Sequence, residues 1–310
     1  MTETGTETGT GAGGETGAKG KHTTAAGGRG APAIRRVLVV LDASTDAYEA
    51  LETATALAAR LEAEVMGLFI EDINLLRLAA LPFAREIGFG SRRRRLAPEE
   101  MERRLRARAR AARTRLAAQA RQARIQWSFE VRRGEWRETL EASTLEADLL
   151  VLGEFTGAVV PPAGPRTGHV LSRCLGRCRC TLFAGRRIHR LQSPMVLMTG
   201  DTAAAWHALE LALRLQGAEG TAHGRPLPVL LPAGHPELEE AVRRLLQARG
   251  LQARFHRLQD LRPATITRAA EAAGGDILIA GATQTLAERQ ELENLLEDIH
   301  CSLMLVPENI

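Results

Sequence analysis

The chain has 310 residues, enough for two domains of ordinary size, and a hydrophobic content of 45% supports packed cores. Aromatics are only 4%, so those cores must be built from Leu, Val, Ile and Ala. The net charge of +4 is too mild to name a polyanionic partner by itself, and no apolar run approaches 18 residues, so no membrane-spanning helix is expected.

Residues 1–33 are mostly Gly, Thr, Glu and Ala, with almost no large apolar side chain. Such a stretch buries too little surface to offset its ordering entropy, so it is expected to be a disordered tail that the fold can do without. It lacks a basic segment followed by an apolar one, so it does not read as a secretory signal. Gly20-Lys21 lacks the earlier glycine, the following Ser or Thr and the preceding strand of a phosphate-binding loop. Cys174, Cys178 and Cys180 crowd together and Cys301 stands apart, which reads as reduced thiols in a cytoplasmic protein.

From Ile34 onward strands and helices alternate. Val37–Leu41 is a continuous apolar run, the mark of a strand covered on both faces. Ala47, Leu51, Ala54, Leu57, Ala58 and Leu61 recur at helical spacing over 45–61. A strand at 65–70 follows, and then an apolar stretch, 73–89, that reads either as a short helix packed on its own domain or as a lid or contact surface. Residues 98–123 predict a long helix, with Pro98 at its start and Glu99, Glu100 and Glu102 in its first turn. Then come a strand at 126–131, a helix at 136–143, a strand at 148–152, a helix through 170–174 and a strand at 180–184. The second half predicts strands near 195–199, 227–231, 252–257, 276–280 and 301–306. Its helices fall near 203–216, 236–249, 263–273 and 289–300. This alternation argues for α/β structure with a parallel sheet covered on both faces.

The two halves also resemble each other. VLVVLDASTDAYEALE at 37–52 aligns with MVLMTGDTAAAWHALE at 195–210, and ADLLVLG at 147–153 with GDILIAG at 275–281. A repeat of about 150 residues is too long for a solenoid unit and implies two copies of one domain, 34–189 and 190–310. The last strands of the two copies, Cys180–Ala184 and Cys301–Val306, are apolar and would lie at open edges, so they are expected to pair with each other.

In open α/β sheets ligands sit beyond the carboxyl ends of the strands, at the switch point. After the first strand comes Asp42-Ala43-Ser44, where Asp42 is placed either to accept hydrogen bonds from a nucleoside or to cap the next helix. After the fourth comes Gly153, then Gly157 and, after a loop with Pro161, Pro162 and Pro165, Gly168. Glycines let a backbone approach phosphate, whereas prolines remove donors and stiffen the loop.

The strand ending in Asp42-x-Ser44, the ADLLVLG segment, the glycine loop and the final helix and strand resemble the universal stress protein family, in tandem, from about Ile34 to Pro307. The resemblance implies two doubly wound, five-stranded parallel-sheet domains, Rossmann-like and of the adenine nucleotide alpha hydrolase kind. It implies ATP or another adenine nucleotide in the first domain, and a binding and signalling role in stress survival rather than catalysis. The site residues it carries over are Asp42, Ser44, Gly153, Gly157 and Gly168, with Ile70 as an adenine contact. In the family's ATP-binding subgroup the loop reads G-x2-G-x9-G-[ST]. Here three residues separate Gly153 from Gly157, and Thr167-Gly168 stands where Gly-Ser is expected. A nucleotide-independent interaction scaffold and a weak ATPase are the alternatives.

The second half departs further. Gly200 replaces Asp42, with Asp201 adjacent, and no later glycine follows Gly281 to finish a loop. The acids Glu288, Glu291, Glu293, Glu297 and Asp298 would repel a triphosphate, so this half reads as a structural partner in an intramolecular pseudo-dimer, with further homodimerisation open. Arg92–Arg95 and the arginines of 103–121 read as a solvated helix face, because glutamates precede Arg103, Arg104 and Arg106 by four residues. The alternative is a surface for nucleic acid or another polyanion, but no aromatics interleave to stack single strands, so the solvated face is preferred and nucleic acid is not expected as a partner. The cysteines with His169 match no zinc spacing, and no nucleophile elbow or H-E-x-x-H is present, so neither metal nor catalytic residues are assigned.

Overall fold

The structure is a computed structural model, and it describes residues 33–41, 45–81, 85–87, 93–95, 97–153, 174, 180–184, 193–222, 225–283 and 288–308. Its first half contains β1 (Arg36–Val40), α1 (Thr45–Leu61), β2 (Glu64–Asp72), α2 (Ile73–Ala80), β3 (Arg85–Ile87) and β4 (Arg93–Arg95). There follow α3 (Pro98–Ala123), β5 (Trp127–Gly134), α4 (Trp136–Thr144), β6 (Leu149–Leu152) and β7 (Thr181–Ala184). The remainder comprises β8 (Pro194–Leu197), α5 (Ala203–Ala222), β9 (Leu227–Pro232), α6 (Pro236–Ala248), β10 (Ala253–Leu258), α7 (Pro263–Ala273), β11 (Ile277–Gly281), α8 (Arg289–Asp298) and β12 (Ser302–Val306).

Ten of these strands form one sheet in the order β10-β9-β8-β11-β12-β7-β6-β1-β2-β5. Numbered within its own half, each run of five strands has the same order, 3-2-1-4-5, counted from its outer edge. Every pairing is parallel except the one at the centre. There β7 meets β12 antiparallel, with Leu182 opposite Leu305, Phe183 opposite Met304 and Ala184 opposite Leu303. The two terminal apolar strands thus cover each other's edge, as their composition requires.

Because side chains alternate across a strand, the sheet builds a separate core on each face. Val37, Val39 and Leu41 join Leu51, Leu57, Leu105 and Leu116 of α1 and α3, and the same cluster runs on through α5 and α6. Leu38, Leu68 and Leu150 join Leu140 of α4, and their cluster continues into α7 and α8. Both faces of β1, β6, β7, β8, β11 and β12 are therefore dry, which is why these strands read as unbroken apolar runs. Helices α1 and α5 pack together on one face, where the Arg60 guanidinium donates to the carbonyl of Leu215.

Local chemistry explains the element ends. Pro98 opens α3 with Glu99 and Glu100 in its first turn, and Arg124 closes it in the left-handed region (φ 56°), its N–H donating to the carbonyls of Ala120 and Arg121. The predicted helix at 203–216 runs to Ala222 past a break at Gly217 (φ 60°). The strand predicted at 126–131 extends to Gly134, because β2 pairs with it as far as Asp72 opposite Gly134. The 73–89 stretch begins as α2, capped by Asp72, whose carboxylate accepts from the Asn74 N–H at 2.8 Å. The only fully buried residue of α2 is Ala79, and Leu78 is half exposed. Beyond it the chain forms the small antiparallel hairpin β3–β4. The expected tail and the helix through 170–174, Cys174 excepted, lie outside the described residues.

Candidate functional site

The order of the sheet places its first switch point between β1 and β6. From β1 the chain goes to β2 on one side, and β6 lies on the other with β7 beyond it. Register sets the level of the site: Val39 pairs with Val151, so Leu41 and Gly153 stand side by side where the two strands end. Leu41 is buried, its N–H donating to the Leu68 carbonyl at 2.8 Å, and helix α1 begins four residues later at Thr45. Gly153 is half-buried at the exit of β6. Ile70 lies on β2, two residues beyond the last β1–β2 pair, and is 6% exposed within the core beneath that edge. Of the six residues picked out by sequence, the structure brings Gly153 and Ile70 to the carboxyl edge. Asp42, Ser44, Gly157 and Gly168 lie outside the described residues.

Sequence reasoning missed a polar network farther along the same edge. Glu71, at the end of β2, is buried and accepts from the Arg133 Nε at 2.9 Å, and Arg133 also meets Glu102 of α3 at 3.4 Å. The hydrogen bond to Glu71 is the main reason the Arg133 guanidinium is held charged above its usual value. Arg77 of α2 faces Glu135 at 3.7 Å. The signal was available in the β2–β5 register, which sets Glu71 directly opposite Arg133. These ties fix α2 and the first turn of α3 to the sheet at the rim.

At the corresponding place in the second run of strands two backbones approach closely. Gly281 ends β11, and a methyl group there would lie 2.6 Å from the backbone nitrogen of Ala205 and 2.7 Å from the carbonyl carbon of Ala204. The N-terminus of α5 is thus seated directly on the strand end. Asp201 accepts from the indole Nε1 of Trp206 at 2.6 Å, and Thr202 caps α5 by accepting from the Ala205 N–H at 3.2 Å. Asp201 and Thr202 thus serve their own helix, and Gly281 leaves no room for a side chain against the start of α5.

Cys174 and Cys180 are buried, and burial pushes the Cys301 thiol up to about 11. Among the described residues no three His, Cys, Asp or Glu side chains gather as a metal site, and no helix is long and apolar enough to cross a membrane.

Residues 33–183 match the model of the Universal stress protein family. The chain carries a universal stress protein domain. No curated protein matches the chain. Among solved structures, a universal stress protein from Archaeoglobus fulgidus DSM 4304 superposes with a TM-score of 0.65 at 13% identity, covering 88% of this chain and 98% of that one. A functionally unknown protein from Pseudomonas aeruginosa PAO1 superposes with a TM-score of 0.51 at 15% identity, covering 89% and 94%. At such identities the likeness is one of fold, and it extends well beyond the universal stress domain into the second run of strands.

Proposed function

We propose that the chain is a tandem universal stress protein that binds and signals rather than catalyses. Residues 34–189 hold an adenine nucleotide, ATP foremost, and residues 190–310 are a degenerate copy serving as structural partner. The observation that carries this reading is the family match over 33–183, the half whose switch point lies between β1 and β6. The repeated strand order supports the tandem, and the antiparallel β7–β12 seam is what an intramolecular pseudo-dimer needs. The seating of α5 on Gly281 supports a closed second half. Asp42 and Ser44 accept hydrogen bonds from the nucleoside, while Gly153, Gly157 and Gly168 bring backbone close to its phosphates. The protein acts in the cytoplasm, in stress survival.

The test is mass spectrometry of small molecules released from the purified protein, followed by calorimetric titration with ATP. One nucleotide per chain is expected, without turnover to ADP. Asp42→Ala should weaken it by about 1–3 kcal/mol, the usual cost of losing a charged hydrogen-bond partner. A nucleotide-free protein that ignores millimolar ATP would leave the interaction scaffold as the function. Steady release of ADP would make the protein an ATPase.

A further inference from the structure

The long helix α3 carries more charge than its own fold uses. Between residues 93 and 124 stand twelve arginines against three glutamates, Glu99, Glu100 and Glu102. The helix-stabilising pairs end early: Arg104 meets Glu100 at 2.9 Å and Arg106 meets Glu102 at 3.1 Å. Downstream of Arg106 the helix contains no acidic residue. Arg115 turns back to α1, toward Glu52 and over the ring of Tyr48. Arg110, Arg113, Arg121 and Arg124 are exposed, and among the described residues their guanidinium groups meet no carboxylate.

Their spacing is not scattered. Arg103, Arg106, Arg110 and Arg113 follow one another at steps of three and four residues, and Arg121 and Arg124 continue the line after Ala117. At 1.5 Å per residue this is a straight row of about 30 Å on one helix face. The buried stripe of Leu105, Ala109, Ala112, Leu116 and Ala120 lies about a quarter-turn round the helix, and the row runs along the exposed flank beside it. It also lies on the positive half of a polarised molecule. Residues 34–189 hold 27 arginines against 19 carboxylates, whereas residues 190–310 hold 11 against 15.

We propose that this outer face of α3 docks on the phosphate backbone of double-stranded nucleic acid, without reading its sequence. A rigid row of guanidinium groups suits the dense, regular charge of a duplex, and arginine matches phosphate geometry bidentately. A lipid surface fits less well. An interfacial helix needs a free apolar face, and that of α3 is already spent on the core, while Ala107, Thr114 and Ala117 interrupt the row with nothing large enough to insert. Single strands are stacked on aromatics, and this face has none. The inference revises the solvated-face reading of the arginines, because the glutamates that motivated it reach only the first two turns. It does not depend on the adenine-nucleotide reading.

The test is fluorescence anisotropy of the full chain with a labelled 20-base-pair DNA duplex of arbitrary sequence, between 50 and 200 mM salt. Affinity should fall linearly on a log–log plot. Replacing Arg110, Arg113, Arg121 and Arg124 together by Gln should reduce the slope by about 3–4, at about 0.9 per phosphate contact, and weaken binding more than tenfold at 50 mM. Lysine at the same four positions should keep most of the slope. Glutamine and lysine are both good helix formers, so the unfolding midpoint should hold in each variant. The proposal is overturned if the wild-type chain ignores the duplex at 50 mM salt. It is equally overturned if the glutamine variant keeps the wild-type slope, or if the row binds vesicles of anionic phosphatidylglycerol and not the duplex.

Discussion

Asp260 shows how one side chain at a strand-to-helix turn ties stability to pH. It follows β10, and its carboxylate accepts from the Arg262 Nε at 2.7 Å and from the Arg262 backbone N–H at 3.1 Å. The bond to the Arg262 side chain is the main cause of its low pKa, lowered to about 2, with Thr265 adding to it. The folded value lies below the unfolded one, so the contribution to stability is fully present above the ordinary carboxylate range. It is lost as pH falls from about 4 toward 2. Asp260→Asn should therefore flatten the acid limb of the stability profile in that window and leave its shape between pH 6 and 8 unchanged. Urea unfolding at a series of pH values would check this; an acid limb identical to wild type would mean that the Arg262 contact does not persist in solution. Glu239 belongs to the same class, its carboxyl held below the usual range chiefly by Arg257.

At the scale of elements, close backbone approach decides what the strand ends can do. A β-carbon at Gly67 would meet Leu116 Cδ2 at 2.6 Å, the far end of a flexible side chain that can swing aside. At Gly281 the obstruction is the backbone of α5 itself. Gly281→Ala should cost about 1–3 kcal/mol, as overpacking does, and more than Gly67→Ala. Equilibrium unfolding of the two variants separates them, and a neutral Gly281→Ala would mean that α5 does not rest on β11. These elements were largely legible in sequence. A parallel strand buried on both faces shows as an apolar run, and a helix over it shows a 3.6-residue stripe, so β1, α1, α3, α7 and β12 fall within a residue or so of expectation. Hairpin β3–β4 was not legible, because two three-residue strands rich in arginine carry no alternation. The existence of a switch point was legible for a related reason, since alternation predicts a doubly wound parallel sheet, whereas its place between β1 and β6 comes from the strand order of the structure. The contacts within the site were not, since Asp42, Ser44, Gly157 and Gly168 belong to connections with no periodic signal, and residues of that kind serve equally as caps or turns.

At the scale of the whole molecule, the central seam makes one sheet of two runs of five strands. Every residue of β7 and β12 is buried, including Leu182, Phe183, Leu303, Met304, Leu305 and Val306. Burying such a side chain contributes roughly 1.5–3 kcal/mol relative to leaving it exposed. Part of that burial comes from the helices on either face, but the strand edge itself is closed only by the antiparallel partner. The α1–α5 contact, with Arg60 bound to the Leu215 carbonyl, lies over the same region and would be opened with it. A total of several kcal/mol is comparable to the whole stability of a domain, about 5–15 kcal/mol. A chain ending near residue 190 should therefore not persist as a monomer. Its β7 would offer unpaired N–H and carbonyl groups beside an apolar surface, a ready template for a second copy. Sedimentation velocity should show a dimer that rebuilds an antiparallel β7–β7 seam, or larger aggregates. The intact chain, whose β7 edge is already occupied by β12, should not use that edge to associate. A soluble, stable monomer of the shortened chain would show that β7 needs no partner strand, and the seam would then be a consequence of tethering rather than a condition of the fold.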